Sequence, residues 1–365
     1  MSRPQATQAG LAAQPLEGEP RARVLVAGAS GFAGALAARL VWHHPRLELV
    51  AATSRRDAGT RLDRLYPRHR VPVALEELDL DATESLDAAV VAYPHGAAAE
   101  LVAELRRREL AVVDVSADFR LHDLPTYERT YGDHGAPELL GEAVYGLPEL
   151  HRKAIATAAL IASPGCYPAG AILATAPLFR AGLARLDGIV IDGKSGVSGA
   201  GAQGRKIDPM YLYTEANENV QAYAIAGHRH TAEMEQELSA LAGAPLRVSF
   251  TPHLLPLNRG LFTTASVPLA SAASSARLLD VYREFYAGEP FVRVLDEGER
   301  PATRAVVGSN YCDVTVVSDT RTGRAVCVSA IDNLGKGGSA NGVQNLNVMM
   351  GWSERTGLEA PPVYP

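Results

Sequence analysis

The sequence predicts two domains: an α/β domain with a parallel sheet, followed by an α+β domain with a second mixed, mostly antiparallel sheet. The chain of 365 residues is too long for one ordinary core. Near its start, an apolar strand, a glycine-rich turn and an Ala/Leu-rich helix follow one another, and two similar strand-and-loop units come later. Segments 246–269 and 310–333 instead alternate apolar and polar residues, as antiparallel strands do.

The composition is that of a globular protein that needs neither a membrane nor a nucleic acid. Hydrophobic residues make up 47% of the chain, the net charge is −6, and neither a bilayer-spanning apolar run nor a basic stripe is present. Three cysteines without a C-x-x-C pair indicate a reducing compartment, so a cytoplasmic location is expected. We expect residues 1–20 to form a disordered tail, 21–165 with 334–365 the first domain, and 166–333 the second.

The glycine-rich turn lies in "ARVLVAGASGFAGALAARLVWHH", after a predicted strand from Val24 to Ala27. Glycine permits a sharp turn and the close approach of a pyrophosphate, and the helix N-terminus supplies amide donors and a positive dipole. This order predicts a Rossmann-type dinucleotide-binding domain, although G-x-x-G-x-x-G also fits a plain strand-to-helix turn. The predicted cofactor-binding residues here are Gly28, Ser30, Gly31, Phe32 and Gly34.

The end of the second strand indicates which nicotinamide cofactor is used. The stretch "LELVAATSRR" predicts a strand from Leu47 to Ala52, with Ser54, Arg55 and Arg56 just beyond it. NAD-specific sites usually have an acid here for the ribose hydroxyls, whereas arginine accommodates a 2′-phosphate. The sequence therefore favours NADP(H) bound by Ser54, Arg55 and Arg56, with a solvated arginine pair as the alternative.

Two further strand-and-loop units place polar residues at strand ends. "DAAVVAYPHGAAAELVAEL" ends its strand before Pro94 and His95, and "ELAVVDVSADFR" continues into Ser116, Asp118 and Arg120. Ligands of an open parallel sheet bind beyond the carboxyl ends of its strands, so these residues are expected around one crevice. Pro94, His95 and Ser116 are predicted to contact the cofactor, and turn or capping roles are the alternative.

A cysteine stands at an unusual position in "ASPGCYPAG", between two prolines and before the apolar run "AILATAPLF". A thiol at a helix N-terminus can be an activated nucleophile, whereas a free cysteine is more often buried and inert. We expect the helix end and a nearby imidazole to lower the pKa of the Cys166 thiol. Cys312 and Cys327 lie within strand-like segments and are expected in the core.

Two histidines precede a later helix in "GHRHTAEMEQEL". His228 and His230 stand two residues apart, before a helix predicted to start with Thr231 as its N-cap. A neutral imidazole accepts or donates a proton near pH 7, which suits a general base or acid. A metal site is an alternative, but no further ligands occur at recognisable spacing, and ordinary hydrogen-bonded histidines are another. No metal is expected.

A series of short motifs runs along the chain in this order: "GASGFAG", "PHG", "SADFR", "YGLPEL", "PGCYP", "SGVSGAG", "GHRHTAEMEQEL", "TPHLLPLNRG" and "IDNLGKGG". From Arg23 to Trp352 the chain resembles the N-acetyl-γ-glutamyl-phosphate reductase family. The resemblance implies a semialdehyde-dehydrogenase-like fold and NADPH-dependent reductive dephosphorylation of N-acetyl-γ-glutamyl phosphate, in arginine biosynthesis. The family's nucleophile maps onto Cys166 and its helper histidine onto His230, with His228 as the alternative.

Further ligands are expected along the chain. The cofactor is expected to contact Ser195, Gly196 and Asn333. Arg120, Lys194 and Arg205 are candidates for binding the phosphoryl group, and Ser198 is the other expected substrate ligand.

The chain departs from the family pattern at four places. Ser163 stands where Asn is common, Ala169 where Thr is common, and Gly335 where a β-branched residue is usual. "SGAGAQGRK" also carries extra residues before Arg205. The loop and tail changes are expected to reshape the substrate pocket.

Two other functions are also compatible with these motifs. A sister family reduces an aminoadipyl or glutamyl phosphate attached to an acidic carrier protein, and basic residues around the pocket mouth would favour it. A non-catalytic NADP-binding sensor, with Cys166 merely packed, is the second. The resemblance further implies a homodimer or homotetramer built through the sheet of the second domain.

Overall fold

The computed structural model describes residues 21–81, 85–202 and 208–363. The predicted tail at residues 1–20 and the predicted substrate ligand Arg205 lie outside the described residues. Within the described ranges, no helix is both long enough and apolar enough to cross a membrane.

A six-stranded sheet organises the first part of the chain. Its strands are β1 (Ala22–Ala27), β2 (Leu47–Thr53), β3 (Ala88–Val91), β4 (Ala111–Asp114), β5 (Val144–Tyr145) and β6 (Leu160–Ala162). The strand order is β2-β1-β3-β4-β6-β5 and every neighbouring pair is parallel. Successive residues of β1 belong to different hydrophobic clusters, because both faces of a parallel sheet are buried.

Five helices accompany this sheet. They are α1 (Phe32–Trp42), α2 (Leu62–Leu65), α3 (Ala99–Arg107), α4 (Leu124–Tyr131) and α5 (Pro148–Ile155). The helix α1 follows β1 directly through the glycine-rich turn, as the strand–turn–helix pattern predicts.

A seven-stranded sheet forms the second part. Its strands are β7 (Ile189–Gly196), β8 (Gln221–Ala222), β9 (Val248–Leu255), β10 (Leu261–Pro268), β11 (Val292–Val294), β12 (Cys312–Asp319) and β13 (Arg324–Ile331). The order is β11-β12-β13-β10-β7-β9-β8, with β11–β12 and β7–β9 parallel and the other pairs antiparallel. The predicted combination of a parallel sheet and a mostly antiparallel sheet is therefore confirmed.

Helices cover one face of the second sheet. These are α6 (Cys166–Arg180), α8 (His230–Ala242) and α9 (Ser275–Phe285), while the short α7 (Tyr213–Ala216) lies between β7 and β8 in the chain. Their apolar side chains join the inward residues of the strands in one hydrophobic cluster. Cys312 and Cys327 are fully buried in this cluster, as expected.

The last helix, α10 (Ala340–Met349), returns to the first sheet and packs against α1, α5 and β4. A buried turn of π-helix, Gly335–Ser339, leads into it. The predicted domain boundaries next to Cys166 and Leu334 stay predictions.

The start of α8 differs from the prediction. The helix begins at His230 and not after an N-cap at Thr231. The backbone N–H of Thr231 donates to the His228 carbonyl at 3.1 Å, and the N–H of His230 donates to Nδ1 of His228 at 3.2 Å. His228 therefore supplies acceptors for the first two N–H groups of the helix.

Candidate active site

The glycine-rich turn brings β1 and α1 together tightly. Gly28 has a positive φ of 83°, and a Cβ on Gly34 would lie 2.1 Å from the Gly28 carbonyl oxygen, so neither position accepts a side chain. A Cβ on Gly31 would approach only the Gly28 oxygen, at 3.6 Å. No side chain caps the start of α1. The first amides of α1 are therefore placed to receive a phosphate group.

A cavity of about 360 Å³ lies beside this turn, and we call it the turn cavity. Its lining includes Ser30, Phe32, Arg56, Tyr211 and Ser198. Ser198 was expected at the substrate, but the structure places it here, among residues predicted to bind the cofactor. Loops that follow strands of both sheets thus line the turn cavity.

Hydrogen bonds order the residues at the end of β2. The hydroxyls of Ser30 and Ser54 lie 2.8 Å apart, and Tyr66 donates to the Ser30 carbonyl at 2.7 Å. Arg56 pairs with Asp57 at 3.3 Å and lines the turn cavity. Arg55 lines a different cavity, of about 400 Å³, together with Thr53 and Tyr93. The two arginines, predicted as a pair, face separate spaces.

The polar residues after β4 have structural partners. The Asp118 carboxylate accepts the backbone N–H groups of Gly96, Ala98 and Ala99 at 2.6 to 3.1 Å, and so caps the start of α3. The Ser116 hydroxyl donates to Asp114 at 2.7 Å. This geometry favours the turn and capping alternative for Ser116.

His95, which follows β3, has a ring contact where Ser116 has a hydrogen bond. Its ring lies 6.0 Å from the Tyr131 ring, and neither His95 nor Pro94 lines the turn cavity. A contact of His95 or Pro94 with the cofactor stays a prediction.

The thiol lies at the start of α6. Gly165 is the N-cap, Cys166 is the first helical residue, and no side chain caps the helix. Cys166 lines a cavity of about 240 Å³, which we call the thiol cavity. The other residues around it include Ser195, Gly196, Tyr211, Tyr223, His228, Arg229 and His230. Tyr211 lines both the thiol cavity and the turn cavity, so the two spaces adjoin.

The two histidines reach this thiol from the start of α8. A Cβ on Gly165 would lie 2.5 Å from Nε2 of His230, so the imidazole packs directly on the residue before Cys166. The His228 and His230 rings are 4.7 Å apart. Burial, together with the nearby Arg229, lowers the pKa of His228 to about 4 and that of His230 well below its ordinary value. Both rings are therefore neutral at pH 7, and burial makes each of them a weaker base than a free imidazole.

A buried ion pair supports the loop before Cys166. Arg120 and Glu233 are 7% and 0% exposed, and their nearest nitrogen and oxygen lie 3.3 Å apart. Glu233 also accepts the Gly165 N–H at 3.0 Å and the Tyr145 hydroxyl at 3.1 Å. Arg120 donates to the Ser163 carbonyl at 2.8 Å. These contacts favour a supporting role for Arg120 over the predicted contact with substrate.

The pKa of the thiol differs from the expectation. Burial raises the pKa of Cys166 to about 11; Arg120 and backbone amides oppose the rise and Glu233 adds to it. The neutral His230 contributes no positive charge that could stabilise a thiolate. The expected lowering by the helix end and the imidazole is therefore outweighed by desolvation.

The "IDNLGKGG" motif packs behind the thiol. A Cβ on Gly337 would lie 2.8 Å from Cβ of Cys166. The adjacent Lys336 is fully buried, and its ammonium donates to Glu149 at 2.6 Å. Asn333 donates to the Ser198 hydroxyl at 3.0 Å and accepts from Gly260. Asn333 thus positions the loop that separates the two cavities.

The remaining predicted positions lie outside the thiol cavity. Lys194 donates to the Asp192 carbonyl at 3.2 Å. Ser163 and Ala169 are fully buried, and a Cβ on Gly335 would lie 2.2 Å from the Ser309 carbonyl oxygen. None of these four residues lines the thiol cavity. The departures at Ser163, Ala169 and Gly335 therefore do not touch its surface directly.

Sequence reasoning missed several residues of this site. Glu233 could have been found, because it follows His230 by three residues on a predicted helix and so shares its face. Tyr145, Tyr223 and Arg229 carried no comparable signal. No group of three potential metal ligands occurs among the residues that the structure describes.

Family models match both halves of the chain. The semialdehyde dehydrogenase NAD binding domain matches residues 23–158, and the semialdehyde dehydrogenase dimerisation domain matches residues 166–333. The first match confirms the predicted nicotinamide-dinucleotide-binding domain.

Solved structures share the fold. The chain aligns with aspartate semialdehyde dehydrogenase II of Vibrio cholerae complexed with ASA, at a TM-score of 0.69 and 16% identity, over 91% of this chain and 99% of that one. Aspartate semialdehyde dehydrogenase with NADP from Candida albicans aligns at a TM-score of 0.66 and 16% identity, over 90% and 98%. At this identity the likeness concerns the fold alone.

Curated relatives are much more similar. N-acetyl-gamma-glutamyl-phosphate reductases of Moorella thermoacetica and Symbiobacterium thermophilum are 48% and 47% identical over 344 and 348 residues. The enzyme of Geobacter sp. (strain M21) is 46% identical over 347 residues, which are 94% of this chain and 99% of the relative. The chain therefore belongs to the N-acetyl-γ-glutamyl-phosphate reductase family, which confirms the family, the oxidoreductase class and the function predicted from its motifs.

Proposed function

We propose that the chain reduces N-acetyl-γ-glutamyl phosphate with NADPH, releasing phosphate and N-acetylglutamate semialdehyde, through a thioester on Cys166. The observation that carries this proposal is the position of Cys166 at a helix start, with the His230 imidazole against the preceding glycine. The thiol cavity adjoins the turn cavity through Tyr211, which supports transfer between a bound acyl group and a bound nucleotide.

The first half of the reaction uses Cys166 and His230. The neutral imidazole accepts the thiol proton, and the sulfur attacks the acyl carbon, so that a C–S bond forms. The C–O bond to phosphate breaks, and phosphate leaves with the electron pair of that bond. The amides at the start of α6 favour the negative charge that develops on the carbonyl oxygen. Glu233 supports this geometry by holding the Gly165 N–H at 3.0 Å.

The residues around the glycine-rich turn fit a dinucleotide. Gly31 leaves the first amides of α1 open, and Ser30, Phe32 and Arg56 face the turn cavity. Of the two arginines, Arg56 lines the turn cavity and would hold a 2′-phosphate bound there. When bound, NADPH supplies the hydride that reduces the acyl carbon. As the C–S bond then breaks and the aldehyde forms, protonated His230 returns its proton to the Cys166 sulfur.

The decisive experiment compares free and carrier-bound substrates. N-acetylglutamate semialdehyde oxidation with NADP and phosphate is measured beside the reaction of an aminoadipyl or glutamyl substrate on its acidic carrier protein. We expect turnover of the free compound, because Arg229 is the sole arginine or lysine of the described residues among those lining the thiol cavity. Turnover of the carrier-bound compound alone would overturn the proposal.

We further propose that the uncovered face of the second sheet binds a second copy of the chain, giving a homodimer or a homotetramer. Val190 of β7 and Val317 of β12 are 39% and 51% exposed, although both lie in a sheet whose other face is fully packed. Analytical ultracentrifugation of wild type and of Val317→Glu tests this, because a charge on that face should shift the oligomer toward monomer. A monomeric wild type at micromolar concentration would contradict it.

A cytoplasmic location is part of the same proposal. The three unpaired cysteines support it, because disulfides persist mainly in oxidising compartments.

A further inference from the structure

Arg229 stands between the two histidines but was not among the predicted ligands. Its exposed side chain lines the thiol cavity. Other arginines near the site are paired with acids, as Arg120 is with Glu233. Within the described ranges of the chain, Arg229 has no carboxylate within ion-pair distance. A guanidinium that faces a ligand cavity without an acid is suited to an anionic ligand.

Tyr131, the last residue of α4, lies under this guanidinium. The Arg229 guanidinium carbon is 5.4 Å from the centre of the Tyr131 ring. The Tyr131 hydroxyl is buried and has no hydrogen-bond partner among the described residues. A buried hydroxyl without a hydrogen-bond partner is destabilising, so a polar group from a ligand is expected to complete it.

The guanidinium and the hydroxyl lie close to the charges that surround the thiol. Arg120 and Glu233 are the charged groups that shift the pKa of the Cys166 thiol. Burial raises the pKa of Tyr131; Glu233 adds to the rise, and Arg120 and Arg229 oppose it. Tyr131 is therefore a protonated donor at neutral pH, close both to Arg229 and to the groups beside the thiol.

We propose that the Arg229 guanidinium and the Tyr131 hydroxyl bind the α-carboxylate of the substrate. This inference rests on the proposed function. Three carbon atoms separate this carboxylate from the carbon that Cys166 attacks, so one cavity accommodates both contacts. Because Tyr131 ends α4, beside the first sheet, and Arg229 precedes α8, which packs on the second sheet, the substrate would bridge the two parts of the chain. Arg229 and Tyr131 would then select substrates that carry a carboxylate.

The test uses the reverse reaction, with N-acetylglutamate semialdehyde, NADP and phosphate. For Arg229→Ala we expect KM for the semialdehyde to rise by about 10- to 100-fold, as for a lost charge-assisted hydrogen bond, with KM for phosphate unchanged. Tyr131→Phe should raise the same KM by about 3- to 10-fold. Arg247→Ala, which removes an exposed arginine paired with Glu235, is the matched control and should change neither value.

A second substrate separates binding of the carboxylate from general damage. 4-Acetamidobutanal lacks the carboxylate, so wild type and Arg229→Ala should oxidise it with equal kcat/KM. The inference would be overturned if Arg229→Ala raised only KM for phosphate. It would also be overturned if the variant lost kcat/KM equally with both aldehydes. If Arg229→Ala does not fold, Arg229→Lys and Tyr131→Phe provide the same comparison. Failure of the wild type to oxidise either aldehyde would instead overturn the proposed function.

Discussion

The helices α1 and α6 begin in nearly the same way. Each follows a buried strand of the first sheet and has a glycine N-cap, Gly31 with φ −78° and ψ 161° and Gly165 with φ −66° and ψ 153°. Neither helix has a side-chain cap or an acid in its first turn. Both therefore present free amides and the positive end of a helix dipole.

The two N-cap glycines differ in the atoms that pack against them. A Cβ on Gly31 would meet only a carbonyl oxygen at 3.6 Å, whereas a Cβ on Gly165 would lie 2.5 Å from the His230 imidazole. The start of α1 is open to a ligand, and the start of α6 is occupied by the protein's own thiol and imidazole. Two equal helix starts thus acquire different chemistry from their tertiary neighbours.

The largest effect is expected from Cys166→Ser, which removes the chemistry of α6 and leaves α1 unchanged. Turnover should fall by about 10³-fold or more, since no thioester can form at a comparable rate. NADPH binding, followed by fluorescence titration, should stay within about twofold of wild type. Cys327→Ala, in the core, serves as the control for loss of a thiol. Retained turnover in Cys166→Ser would exclude the covalent mechanism.

A smaller effect should follow from adding one methyl group at each helix start. Gly165→Ala forces the His230 ring away, and we expect kcat to fall by about 100-fold through this misplacement. Gly31→Ala fits without a clash, so kcat and the alkylation rate of Cys166 should be retained while NADPH binds more weakly. Equal kcat losses in both variants would remove the distinction between the two helix starts.

The α1 side is tested by Arg55→Ala and Arg56→Ala. Loss of a charge-assisted contact to the 2′-phosphate should raise KM for NADPH by about 10-fold or more and leave KM for NADH nearly unchanged. Because the two arginines line different cavities, we expect one variant to show most of the effect. Equal losses with NADPH and NADH would contradict the cofactor assignment.

The smallest effect concerns the pH dependence of thiol alkylation in the ligand-free enzyme. A pKa raised by burial to about 11 keeps Cys166 protonated at neutral pH, so its alkylation rate should keep rising with pH up to about 11. A free cysteine levels off above pH ~8.5. Glu233→Gln should lower the apparent pKa, and Glu235→Gln, on the same helix, should not change it. A plateau near neutral pH in wild type would show that the helix end prevails over burial.

Local features of the sequence were enough to predict both sheets and both helix starts. The turn at Gly28 and Gly34 and the start of α6 at Cys166 depend on residues a few positions apart, and the family motifs are equally short. Such features follow from backbone sterics and hydrophobic periodicity. The same reasoning wrongly placed the N-cap of α8 at Thr231, because the acceptors of His228 were not considered.

The surroundings of the thiol were decided by the tertiary structure. Glu233 joins Gly165 across 68 residues, Tyr145 across 88 and Arg120 across 113, distances at which no sequence period operates. Burial by these neighbours reversed the expected direction of the Cys166 pKa, since desolvation depends on all atoms around the sulfur. Identity of the nucleophile is thus a property of a short motif, whereas its ionisation and its partners follow from how the two sheets pack.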